Sequence, residues 1–106
     1  MNNLHLSPEA QDDLMDIKNY ITEELENPQA AIDTVNKITS SIRLLRDHGH
    51  IGAPLSSVAV IDSDYRFLVS GNYLVFYRAN DNDIYIDRIL YGRREYLRIL
   101  FDEHLK

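Results

Sequence analysis

A chain of 106 residues, 44% of them hydrophobic, can fill one core but not two, so a single domain over residues 1–106 is expected. Its ordinary charge content excludes a disordered chain, the lack of cysteine excludes disulfides and thiolate metal sites, and no stretch approaches the roughly 20 apolar residues of a membrane span. A net charge of −6 argues against non-specific nucleic-acid affinity, and without an apolar N-terminal run of the secretory kind a cytoplasmic protein is expected.

Asn3-Leu4-His5-Leu6 alternates apolar and polar residues and reads as a short first strand. Ser7 is a helix N-cap, followed by Pro8 at the first helical position and Glu9 near the positive helix end. Ala10, Leu14, Ile17, Ile21 and Leu25 recur at helical steps and draw one apolar stripe. Asp12, Asp13, Asp16, Glu23 and Glu24 fall mostly off it and read as a solvated acidic face.

Asn27-Pro28 ends this helix and caps a second, whose stripe is Ala31, Val35, Ile38, Ile42 and Leu45 and whose left-handed stop is expected at Gly49. The short connection makes the pair an antiparallel hairpin able to cover one face of a sheet. His48 and His50 are spaced two apart with no third ligand nearby, so no metal or other cofactor is expected. Residues 56–61 are irregular or a weak extra strand.

From Asp64 onward three runs rich in β-branched and aromatic residues are separated by turn chemistry, which predicts a three-stranded antiparallel meander. Gly71-Asn72 supplies the positive φ angles of a tight hairpin and places Ser70 opposite Tyr73, Val69 opposite Leu74 and Phe67 opposite Phe76. The second turn lies within Asn80 to Asp83, with its register open. Phe67, Val69, Leu74 and Phe76 then share a wholly apolar face, expected to carry the helical hairpin. Arg66, Leu68, Ser70, Tyr73, Val75 and Tyr77 share the other, expected to be partly exposed and available to a partner.

Gly92 ends the last strand, and Tyr96, Leu97, Leu100 and Phe101 repeat at helical spacing, a short final helix. Arg93 and Arg94 at its start are disfavoured by the helix dipole and point to an external anion or acidic peptide as readily as to plain solubility. Residues 65–106 hold seven Lys and Arg against six Asp and Glu, whereas residues 1–64 hold four against eleven. An anionic partner is therefore expected on the strand half.

Leu6-Ser7-Pro8-Glu9-Ala10, the loop His50-Ile51-Gly52-Ala53-Pro54, Tyr73-Leu74-Val75-Phe76-Tyr77-Arg78 and Arg88-Ile89-Leu90-Tyr91-Gly92-Arg93-Arg94-Glu95 follow one another in a recognisable order. In these segments, and over nearly its whole length, the chain resembles the RelE/ParE superfamily of toxins from bacterial type II toxin–antitoxin systems. The resemblance implies an α+β fold: a short N-terminal strand, an antiparallel helical hairpin packed on a three-stranded antiparallel meander, and a short C-terminal helix. It also implies growth arrest, a cognate antitoxin as partner, and the plasmid stabilisation such modules serve. Oligomeric state stays open.

Members reach growth arrest by two routes. RelE-like branches are ribosome-dependent mRNA endonucleases that need no metal; ParE-like branches block DNA gyrase. For the nuclease, Arg66 matches the first basic position, Arg94 matches the basic residue after the glycine, and Tyr91 stands where many ParE-like members have histidine. The remaining basic positions fall at Leu68 and near Leu74. The ParE-like reading is favoured, with the mRNA interferase and a non-toxic relative as alternatives. Whether the chain is an enzyme at all follows that choice. The accessible apolar surface for antitoxin or target is expected around Tyr96, Leu97, Leu100 and Phe101, beside Arg93, Arg94 and Arg98.

Overall fold

The structure, a computed structural model, describes residues 1–59, 63–93 and 95–105, with side chains as far as residue 101. Strand β1 (Asn3–Leu6) runs into helix α1 (Pro8–Asn19), which ends in a π-helical turn at Tyr20–Glu24, and helix α2 (Pro28–Leu44) returns alongside. Then come β2 (Ala53–Pro54), a 3-10 turn (Leu55–Ser57), the meander β3 (Arg66–Ser70), β4 (Tyr73–Asn80) and β5 (Asp83–Tyr91), and helix α3 (Tyr96–Leu105). The sheet order is β1-β5-β4-β3-β2, with β1 parallel to β5 and the other pairs antiparallel. The expected α+β architecture is what the chain adopts, enlarged by the two-residue strand β2.

Both helices start as their sequences dictate. Ser7 Oγ accepts the Ala10 amide at 2.9 Å and Asn27 Oδ1 accepts the Ala30 amide at 3.0 Å, each followed by proline at the first helical position. Each such cap contributes about 1 kcal/mol. Ser7 also continues the β1–β5 pairing, donating its amide to Ile86 O and its hydroxyl to Asp87 O, which aims α1 across the sheet. The α1–α2 turn takes its left-handed residue at Glu26 (φ 50°).

Gly49 is not the left-handed stop expected of it. Helix α2 relaxes through αR turns after Leu44, and Gly49 is instead tightly packed, with a Cβ there reaching 3.1 Å from Asn2 and Ile84. The first meander turn has its positive φ at Gly71 alone (58°), the second at Asp81 (53°), with Asn80 paired to Asp83.

The β3–β4 register is the expected one, Phe67 opposite Phe76 and Val69 opposite Leu74. The assignment of faces is reversed. The helical hairpin packs Ala10, Ile17, Ala31, Ile38, Ile42 and Leu45 onto Leu68, Tyr73, Val75 and Tyr77, the face of mixed composition. On the wholly apolar face Phe67, Leu74 and Phe76 carry α3 and Leu55 instead, while Val69 is left exposed. The polar tips of Tyr77 and Arg66 do not keep the mixed face in solvent because the chain supplies their partners. Tyr77 Oη accepts the buried Gly52 amide at 3.0 Å, and Arg66 donates Nε to Gly52 O and a terminal nitrogen to His50 O, both at 3.0 Å. Burial of Ile38, Ile42 and Leu45 from α2 then contributes about 1.5–3 kcal/mol each.

Strand β5 bulges by one residue: Phe76 pairs with Arg88 and Tyr77 with Ile86, leaving Asp87 unpaired. The bulge explains why Ile84, Ile86 and Ile89, at steps of two and three, all reach the hairpin core.

Candidate functional site

The first helix is anchored by the residue least expected to be buried. Asp13 is only 8% exposed, correcting its place on a solvated acidic face. Its carboxylate accepts Arg88 Nε at 2.8 Å, a second Arg88 nitrogen at 2.9 Å and the Ile89 amide at 2.9 Å. Donating these hydrogen bonds to Asp13 raises the Arg88 guanidinium above its usual range. Ile89 lies past the end of the β1 pairing, so a side chain supplies the acceptor a neighbouring strand would have offered. The signal was present in the spacing, since Asp13 stands three residues after Ala10 and four before Ile17, both buried.

On the opposite side of the sheet α3 lies over Phe76, Leu90 and Leu55. Tyr96 meets Phe76 at 5.3 Å between ring centroids, and Phe101 meets Tyr65 edge-on at 5.7 Å, while Leu97 and Leu100 pack into the same cluster. All four are partly buried against the chain's own strands. The helix breaks at Phe101 (φ −124°, ψ 23°). Arg93 and Arg98 are exposed, and Arg98 makes only a surface pair with Glu95 at 3.4 Å. Arg94 lies outside the described residues.

Near Phe101 the same face turns polar. Asp87, freed by the bulge, accepts Arg78 Nε at 2.8 Å and the Tyr65 hydroxyl at 3.0 Å. The Arg78 guanidinium sits 6.0 Å from the Tyr65 ring centre and 5.7 Å from that of Tyr85. Burial first, then the Asp87 charge and hydrogen bond, push the Tyr65 hydroxyl up to about 12. Farther along, His5 stacks on Tyr85 and bonds Asp83 at 2.9 Å. None of this cluster was singled out in the sequence, because the bulge that assembles it has no local signature.

Of the nuclease candidates, Arg66 and Tyr91 are not brought together. Arg66 lies on the hairpin side, opposite Tyr77, with its guanidinium committed to loop carbonyls. Tyr91 is opposite Tyr73, four residues away along β4, about 13 Å at strand rise. The two positions where basic residues would be needed hold apolar side chains in packing roles: Leu68 against the hairpin core, Leu74 against the α3 core. Among the described residues no cluster of three His, Asp or Glu is suited to a metal ion, and no helix is long and apolar enough to cross a membrane.

Tyr91 lines a cleft of about 710 Å³ between the end of α1 and the far end of β4 and β5. Its ring meets Tyr73 edge-on at 5.8 Å. Tyr20, 53% exposed, and Leu25, 57% exposed, line it from the π-helical turn, so the last residue of the expected α1 stripe is open to solvent. Among the described residues the lining contains two acids, Asp13 and Asp16, and no basic residue.

These features meet a known pattern. The family model for the ParE toxin of type II toxin–antitoxin systems matches residues 4–96. The structure is similar to a chain of the chromosomal ParDE toxin–antitoxin system from P. aeruginosa, with TM-score 0.71 and 24% identity over 86% of this chain and 96% of that one. It is more remotely similar to YafQ from E. coli strain BL21(DE3), with TM-score 0.49 and 15% identity over 86% and 93% of the two chains, a likeness too distant to bear on function. No curated protein matches the chain by sequence. A family match running from the first strand to the start of the last helix, on a fold of the same shape, makes this chain a member of the ParE toxin family of type II toxin–antitoxin systems.

Proposed function

We propose that the chain arrests bacterial growth by binding DNA gyrase rather than by cutting RNA, and that a cognate antitoxin relieves the arrest. The observation that carries this reading is the disposition of Arg66 and Tyr91. Metal-free RNA cleavage needs a base, charge stabilisation at the scissile phosphate and an acid for the leaving oxygen around one point. Here the arginine is spent on His50 and Gly52 carbonyls, the tyrosine lies about 13 Å away along the sheet, and the two remaining basic positions hold leucines packed in the two cores. A binding inhibitor requires none of that convergence. The antitoxin is proposed to contact the α3 end of the molecule. There Arg93 and Arg98 stand exposed beside the partly buried Tyr96, Leu97, Leu100 and Phe101, so an amphipathic segment would meet apolar anchors and cations together.

Induction of the chain alone tests the reading. Filamentation and DNA-damage signalling with bulk messenger RNA intact, relieved by co-expressing the neighbouring reading frame, are expected. Codon-dependent cleavage of messenger RNA on ribosomes, lost in Arg66→Ala, would replace the gyrase reading with the nuclease. Normal growth despite soluble, folded protein would leave a non-toxic relative.

A further inference from the structure

We propose that the cleft between the end of α1 and the far end of β4 and β5 binds a lysine or arginine side chain presented by a peptide segment of a protein partner. Three tyrosines contribute to its wall, Tyr20 from the π-helical turn, Tyr73 from β4 and Tyr91 from β5, together with Ile17, Leu25 and Asp16. Such rings offer a negative face to a cation lying within about 6 Å of the ring centre. The Tyr73 and Tyr91 rings stand edge-on at 65°, so they present differently oriented surfaces to the cleft. Burial, and then the neighbouring phenols of Tyr91 and Tyr20, raise the Tyr73 hydroxyl above its ordinary range, which keeps that ring neutral.

Charge makes the choice of occupant. Of the two acids in the lining, Asp13 is spent on Arg88 and the Ile89 amide, while Asp16 is exposed and, among the described residues, belongs to no ion pair. With no basic residue in the wall among the described residues, the cleft presents negative charge beside tyrosine rings. The apolar part, buried Ile17 and exposed Leu25, suits the aliphatic stem that lysine and arginine carry beneath their charge. A volume of about 710 Å³ also leaves room for flanking residues, which favours a peptide over a bare cation. This assignment gives Tyr91 a recognition role in place of an acid–base one. It concerns binding by the folded chain and stands whichever target the toxin acts on.

The test is an NMR titration of the isotope-labelled full chain with the capped tripeptide acetyl-Leu-Lys-Leu-amide and with its norleucine and glutamate counterparts. Shifts should centre on Tyr20, Tyr73 and Tyr91, with the lysine peptide bound about fivefold or more tighter than the norleucine one, as a cation over aromatic faces beside a carboxylate requires. Asp16→Asn combined with Tyr20→Leu, both at exposed positions, should abolish that preference while leaving the melting temperature unchanged. Equal affinity for the three peptides, or no shifts at the cleft, would overturn the proposal. So would tetramethylammonium chloride binding as tightly as the lysine peptide, since the stem and flanks would then contribute nothing.

Discussion

The two faces of the sheet are built by different means. The hairpin face is locked by two helices whose caps and ion pair find partners within the chain, Ser7, Asn27 and Asp13 with Arg88, and by Tyr77 bonded to Gly52, while the buried Ser70 hydroxyl has no partner among the described residues. The α3 face is covered by one helix broken at Phe101, with its apolar residues only partly buried, and beyond it lies the open cluster of Tyr65, Arg78 and Asp87. Composition alone would assign them the other way round, because the face under α3 is the wholly apolar one. With the Tyr77 and Arg66 tips satisfied, a mixed surface becomes the deeper core, whereas an apolar surface under a short helix stays partly open. The first face should therefore dominate stability and the second should be the yielding one.

The sharpest break in that contrast is Asp13→Ala. It strips a largely buried guanidinium and the Ile89 amide of their acceptor, an expected loss of about 3 kcal/mol in a denaturant melt. Asp13→Asn, which keeps an acceptor for Ile89, should lose less. Equal, small losses from both would mean that the pair does not anchor α1. Next comes Gly52→Ala. A Cβ there would lie 2.7 Å from Phe67 O and 2.7 Å from the Tyr77 hydroxyl, so an expected cost of about 2–3 kcal/mol should appear in the same melt.

On the other face Phe101→Ala removes the partner of the Tyr65 ring from a half-covered site. A loss of about 1–2 kcal/mol is expected, less than the ~3–5 kcal/mol of a fully buried phenylalanine. Calorimetric titration of the folded variant with antitoxin would separate this from a binding effect. A melting temperature equal to that of the parent would show that α3 contributes nothing to the sheet it lies on.

The smallest effect is a pH dependence. Tyr65 titrates at about 12 in the folded chain against 10.0 when free, mainly through burial and then through Asp87. The unfolded chain therefore releases this proton first. The contribution of Tyr65 is complete below pH 10 and is lost as pH rises from about 10 through 12. Tyr65→Phe should flatten the fall in stability across that window. An unchanged alkaline slope would dissociate Tyr65 from it.

Much of the fold was legible in the sequence because local chemistry specifies it. Ser7-Pro8, Asn27-Pro28 and Gly71 announce helix starts and a hairpin turn, and the register of β3 on β4 follows from that turn. What was not legible depends on distant residues. Which face the hairpin chooses is decided by the Gly52 loop reaching Tyr77 and Arg66, 25 and 14 positions away in sequence. The β5 bulge moves Asp87 out of the alternation, and Gly49 serves close packing rather than a left-handed turn. The candidate site divides in the same way. Tyr91 was visible as an aromatic residue in place of a histidine, but Tyr73 joins it through the β4–β5 register and Tyr20 only once α1 crosses the sheet.

The central claim is that this ParE-family chain acts by binding and not by cleavage, and a supercoiling assay with purified gyrase tests it most directly. The folded chain should inhibit supercoiling in a dose-dependent way, and Arg66→Ala should inhibit as strongly per folded molecule, because that arginine serves the Gly52 loop. Full supercoiling at every dose, together with ribosome-dependent cleavage of messenger RNA by the same preparation, would contradict it.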